Sequence, residues 1–168
     1  QIDDGSANLT GTFFNVVSEP LAAGDTSDVT FTVQNTGTSG SSNFLADLRL
    51  STNDYISTGD LALGSVSVDG LAAGEARTIT RSVTLPDAAS SFWDGDADYA
   101  IGMIVDAANA VPETAETDNV NGGEFDDFDR VQIDDGNANL TGTFFNVVDE
   151  PLAAGDKSEE RHVRQQCP

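Results

Sequence analysis

Carboxylates are the one chemistry this 168-residue chain supplies in quantity, with 29 Asp and Glu against 7 Lys and Arg and a formal net charge of −22. Oxygen donors in that number suit a hard cation such as calcium, which takes roughly six to eight oxygens. Other reactive side chains are scarce. His162 is the only histidine and Cys167 the only cysteine, and both stand in the last stretch, KSEERHVRQQCP. A Ser-His pair, a His-ligated metal, a thiolate zinc site and an intramolecular disulfide are therefore not expected in the rest of the chain. Paired carboxylates for glycoside hydrolysis are present by number, but no cleft-forming insertion accompanies them. The negative field repels nucleic acid and anionic membranes, and no stretch has the length and apolarity of a signal peptide or spanning helix.

Individual motifs add little chemistry. Asp94-Gly95-Asp96-Ala97-Asp98 opens like an EF-hand loop, yet position six is Tyr99 and position twelve is Val105, where Gly and Glu are needed. Asn8-Leu9-Thr10 and Asn139-Leu140-Thr141 match the glycosylation sequon, with a structural use expected for a motif this short. Trp93, Tyr55 and Tyr99 could stack on sugar; the reading preferred here is Tyr99 in the core, Trp93 over one end of the fold and Tyr55 as a loop anchor.

The elements that position these groups recur. Residues 1–25, QIDDGSANLTGTFFNVVSEPLAAGD, return at 132–156 with Ser6 replaced by Asn137 and Ser18 by Asp149. The period, 132 minus 1, is 131 residues, too long for a solenoid unit and suited to one globular domain. The expected organisation is a domain over 1–131, a truncated start of a second copy over 132–156, and a non-homologous, disordered tail over 157–168 that reads as a truncation, frameshift or cloning tail.

Within the domain the apolar residues alternate with period two, broken by Gly, Asp, Asn and Pro about every ten residues, the pattern of antiparallel strands. Strands are expected near Leu9–Val17, Val29–Val33, Phe44–Leu50, Leu61–Val68, Thr78–Leu85, Tyr99–Asp106 and Phe125–Ile133. About seven strands make an all-β, immunoglobulin-like antiparallel β-sandwich. The expected core contains Phe31, Val33, Leu48, Leu50, Ile79, Val83, Ile101, Met103 and Val105. Arg81 breaks the apolar face of its strand, where an edge position or a bulge would turn the guanidinium outward.

That fold sorts the acids into two low-specificity calcium candidates. One, at the end where the chain enters, comprises Asp3, Asp4, Asp106, Glu113, Glu116 and Asp118, with Asn109 and Asn119. The other, at the exit end, comprises Asp54, Asp60, Asp94, Asp96 and Asp98, with Asp126, Asp127, Asp129, Asp134 and Asp135. Neither contains a complete loop motif, so no cofactor is required and plain surface charge explains most of the acids.

In order along the chain, ANLTGTFF, FTVQNTG with Asn35 and Gly37, LRLSTNDYISTGDLALG, LAAGEARTITRSVTLP and DYAIGMIVDAANAVPETAETDN resemble the CARDB family, the cell-adhesion-related domain found in bacteria. The resemblance covers about residues 7–131; it departs at Asp118-Asn119, where Asn-Asn is common, and in the acidic GGEFDDFD that follows. It implies a non-catalytic immunoglobulin-like repeat of a large secreted or cell-surface protein, structural or adhesive. Its partners would be neighbouring repeats and a cell-surface protein or polysaccharide. The alternative expectation is a polysaccharide-binding accessory module of an exported hydrolase, which an exposed aromatic strip would favour.

Overall fold

The computed structural model describes residues 6–95, 98–120 and 127–136. They form eight strands: β1 Leu9–Val16, β2 Leu21–Ala22, β3 Thr26–Asn35, β4 Phe44–Ser51, β5 Leu61–Val68, β6 Ala76–Thr84, β7 Asp98–Val105 and β8 Phe128–Asp134. One sheet has the order β1-β3-β6 and the other β2-β8-β7-β4-β5. All pairings are antiparallel except the two-residue β2, which runs parallel to β8 through Leu21↔Ile133 and Ala22↔Asp134. The architecture is all-β and immunoglobulin-like, with β2 a short extra strand that the period-two pattern was too brief to reveal.

The alternation explains the layers. On β3, Val29, Phe31 and Val33 are fully buried while the threonines between them face outward. From the opposite sheet Leu48, Leu50, Ile101, Met103 and Val105 meet them. Ile79 is only partly buried, because β6 is an edge strand, and on the same strand Arg81 is exposed as expected. Complete burial of a side chain of this size is worth about 1.5–3 kcal/mol, so this shared layer dominates the stability.

Two departures from regular pairing position outward groups. The β1–β3 register shifts between Gly11 and Phe13, so Thr12 and Phe13 both face solvent before Phe14 returns to the core. The β4–β5 register shifts after Leu48, opposite Gly64, whose φ of 149° glycine adopts readily. β7 is different again. Both its faces are covered, since Ile56 and Phe128 pack over Ala100 and Ile104 on the side away from the main core.

β8 crosses position 131, where the sequence repeat places its boundary. Ile133 is 2% exposed and Asp135 is 6% exposed. The fold unit therefore closes near Gly136, five residues beyond Val131, and residues 132–134, the first of the second copy, finish β8. The phase of an internal repeat is arbitrary, whereas the phase of a domain is set by where burial stops. Of the second copy, residues 137–156 lie outside the described residues, as does the tail 157–168.

Candidate functional site

At the chain-entry end Asp106, Glu113, Glu116 and Asp118 lie in the segment after β7, and main-chain amides meet the first three. Asp106, 3% exposed and at φ 45°, accepts hydrogen bonds from Ala110 N at 3.1 Å and Val111 N at 2.8 Å, closing the turn after β7. Glu113 accepts from Leu9 N with Oε2 and from Asn119 Nδ2 at 2.8 Å with Oε1. Glu116 accepts from Glu113 N at 2.9 Å. Asp118 accepts from Asn8 Nδ2 at 2.8 Å through Oδ2. Burial pushes the Glu113 carboxyl above its ordinary value, opposed by the Leu9 and Asn119 hydrogen bonds and aided by repulsion from Glu116 and Asp106.

Two asparagines organise this end. Asn8, 9% exposed, donates to Thr36 Oγ1 and Asp118 and accepts from Thr114 Oγ1 and Ala115 N, so its amide has four partners. A glycan has no place on it. Asn35, fully buried, accepts from Asn8 N and Gly37 N and donates to the carbonyls of Ser39 and Leu71. Gly37 is required beside it, because a Cβ there would lie 2.5 Å from Ser6 O and 2.6 Å from Asn8 N. Two oxygens in this cluster remain over: Asp118 Oδ1 and Asn119 Oδ1 are buried and without a hydrogen-bond partner. Asp3 and Asp4 lie outside the described residues.

The exit-end acids do not share one place. Asp54 forms a two-pronged ion pair with Arg130, Nε lying 2.9 Å from Oδ1. Asp60 holds the loop after β4, accepting from Ser57 N at 2.6 Å, Ser57 Oγ at 3.0 Å and Ser51 Oγ at 3.0 Å. Asp94 accepts from Tyr99 OH at 3.0 Å, and Asp135 lies 3.4 Å from the same hydroxyl. Burial foremost, then these carboxylates, raises the Tyr99 pKa far above its ordinary value. Asp98 is exposed beside the Asp54–Arg130 pair, and Asp96 lies outside the described residues.

Asp127 corrects the sequence expectation. It directly precedes β8, fully buried, with its carbonyl accepting from Met103 N, so it sits toward the opposite end of that strand from Asp134. Asp126 lies outside the described residues. Asp129, inward of both ends, reaches across to the other sheet and accepts from Val16 N at 3.0 Å. Among the described residues no three acidic, His or Cys side chains converge to hold a metal ion.

Of the three aromatics singled out in the sequence, Tyr99 and Trp93 pack inward. Tyr99 is 2% exposed and Trp93 8%, stacked edge-on at 5.2 Å, with Phe92 edge-on to Trp93 at 5.3 Å. Trp93 Nε1 donates to Asp87 O at 2.7 Å, closing this end of the sandwich. Tyr55 does not anchor its loop through the ring, which is largely exposed; the loop is held by Tyr55 N on Asn53 and by Ser51 on Tyr55 O.

Residues 13–122 match the CARDB family. The fold is shared with the CARDB domain of the PF1109 protein of Pyrococcus furiosus, whose crystal structure is in complex with di-metal ions: TM-score 0.53 at 17% identity, covering 76% of this chain and 89% of that one. The solution structure of the same domain gives TM-score 0.51 at 19% identity, covering 77% and 97%. A domain from a Methanosarcina acetivorans protein assigned by name to the cell surface aligns more loosely, with TM-score 0.44 at 18% identity over 70% and 89%. No curated protein matches the chain.

Proposed function

Because this chain belongs to the CARDB family, we propose that it is a non-catalytic structural and adhesive module, one of a tandem set, that spaces or presents other parts of a secreted or cell-surface protein. The observation that carries this reading is the position of the ends of the fold unit. Ala7 bridges to Glu113 at one end of the sandwich, while Asp134 leaves β8 beside Ala22 at the other. Strands of seven to ten residues separate the two ends, roughly 25–30 Å. A unit entered at one end and left at the other lengthens a chain when repeated. Carboxylates bound to loop amides stiffen the loops at both ends.

The test is to delete copies from the parent surface protein and measure attachment of the cells. Loss of attachment that an unrelated spacer of equal length restores supports spacing; loss that only these copies restore supports direct adhesion. Attachment unchanged by deletion of every copy overturns both.

A second reading is favoured by Asp118 Oδ1 and Asn119 Oδ1, buried without partners. These oxygens, with Glu113 alongside, fit a hard cation such as calcium in donor type and fall short of its usual ligand number. Binding would draw the remaining donors from carbonyls or water and would stabilise by mass action without being needed for folding. Titration calorimetry with calcium chloride should then give heat with the native chain and none with Asp118→Asn. Absence of heat at millimolar calcium removes this reading.

A further inference from the structure

We propose that the outer face of the β1-β3-β6 sheet binds a neutral polysaccharide lying along the strands. Across β3 and β6 the outward side chains form a ladder of hydroxyl pairs. Thr26–Thr84 meet at 2.9 Å, Thr30–Thr80 at 3.0 Å and Thr32–Thr78 at 2.8 Å, with Ser82 donating to Asp28 in the fourth rung. The register puts these rungs at every second residue, a spacing of about 6.7 Å along the strand.

Each hydroxyl can donate once and accept twice, so a Thr–Thr pair uses one of its two hydrogens and leaves the other with several lone pairs facing outward. β-branching restricts χ1, and the mutual bond fixes it further, so little side-chain entropy remains to be lost on binding. The ladder thus offers ordered donors and acceptors at a regular interval, which is what a chain of sugar hydroxyls requires. Phe13, 48% exposed, stands in register with Thr32 and through it with Thr78, an apolar ring at the end of one rung for the C–H face of a sugar.

Charge selects the occupant. Among the outward positions of β3 and β6, Asp28 is the only ionisable side chain, in a molecule of net charge −22. A polyanion is repelled by the whole molecule and a polycation is drawn to the acidic ends instead. A neutral polymer can approach this face without stripping water from carboxylates. Aromatic platforms are few here, so affinity per domain is low and repetition of the domain supplies the avidity. This inference names a partner class for the adhesive reading and rests on it; spacing by the fold unit stands apart and is measured without any polysaccharide.

The experiment is native gel electrophoresis of the full chain through gels containing hydroxyethyl cellulose, galactomannan or alginate, with melting curves for each variant. The native chain should be retarded several-fold in at least one neutral gel and not in alginate. Replacing Thr30, Thr32, Thr78 and Thr80 by Val keeps shape and strand propensity and should remove most of the retardation, as should Phe13→Ala in part. Should the quadruple variant not fold, amide shift changes in the native chain on adding the retarding polymer locate the contact. Mobility unchanged in both neutral gels, equal retardation of native and folded variant, or shift changes confined to another face would each overturn the proposal.

Discussion

Single residues decide which polar groups are free for chemistry, and Asn35 shows how completely they are used. Its amide serves two main-chain donors and two main-chain acceptors from three segments, the bonds to Asn8 N and Leu71 O being buried. Asn35→Ala should therefore cost about 2–4 kcal/mol, read as a fall in the urea midpoint, since the groups left behind lose their partners rather than gain water. The Asn-x-Gly pattern was visible in the sequence, but its purpose was not, because the partners lie 27 and 36 residues away. Glu113 gives a second test. Its folded carboxyl holds a proton more tightly than the ordinary value of 4.5, so through the window above 4.5 the folded state binds more protons than the unfolded one. Stability must then rise as pH falls from neutral toward that value, and Glu19, raised by burial and by Asp129, adds in the same direction. Melting should shift upward between about pH 7 and pH 5 in the native chain, and the shift should shrink in Glu113→Gln.

At the scale of elements the legible part is whatever alternates. Strand positions and the inner faces of β3 and β4 were readable from period two, because a half-buried strand writes its environment into every second residue, and Arg81 stood out as the break in that pattern that its edge strand leaves exposed. β7 hid one face, since a strand covered on both sides reads as a continuous apolar run and does not say what covers it. Gly102 marks that hidden contact. A Cβ there would lie 2.6 Å from Ile56 Cγ1, 2.7 Å from Phe128 Cβ and 2.8 Å from Asp127 O. Gly102→Ala should destabilise by about 1–3 kcal/mol while Gly64→Ala, with open space around its Cβ, should lose less despite its φ. Denaturation of the two variants side by side checks this. The alternation carried the last strand to Ile133, close to the observed end of β8, whereas the repeat drew its line at Val131 inside that strand, as identity between copies says nothing about where burial stops. A chain ending at Gly136 should exceed one ending at Val131 by about 2 kcal/mol or more, the worth of buried Ile133 alone, and a difference near zero would return the boundary to Val131.

For the molecule as a whole, the acids that looked like chemistry in the sequence are largely fold chemistry. Asp106, Glu113, Glu116 and Asp60 each hold main-chain amides, and Asp118 ties the entry segment through Asn8. Sequence could place these acids at two ends because the sandwich topology dictates which loops share an end. It could not show their partners, many of which are backbone groups carrying no side-chain signature. What the arrangement provides is a unit with its ends tied down, entered on one side and left on the other. The direct test is small-angle X-ray scattering on chains carrying one and then two complete copies at the native 131-residue period. The expected result is a maximum dimension that grows by roughly the length of the sandwich, about 25–30 Å. A dimension that stays nearly constant as the second copy is added would contradict the spacing role at its root.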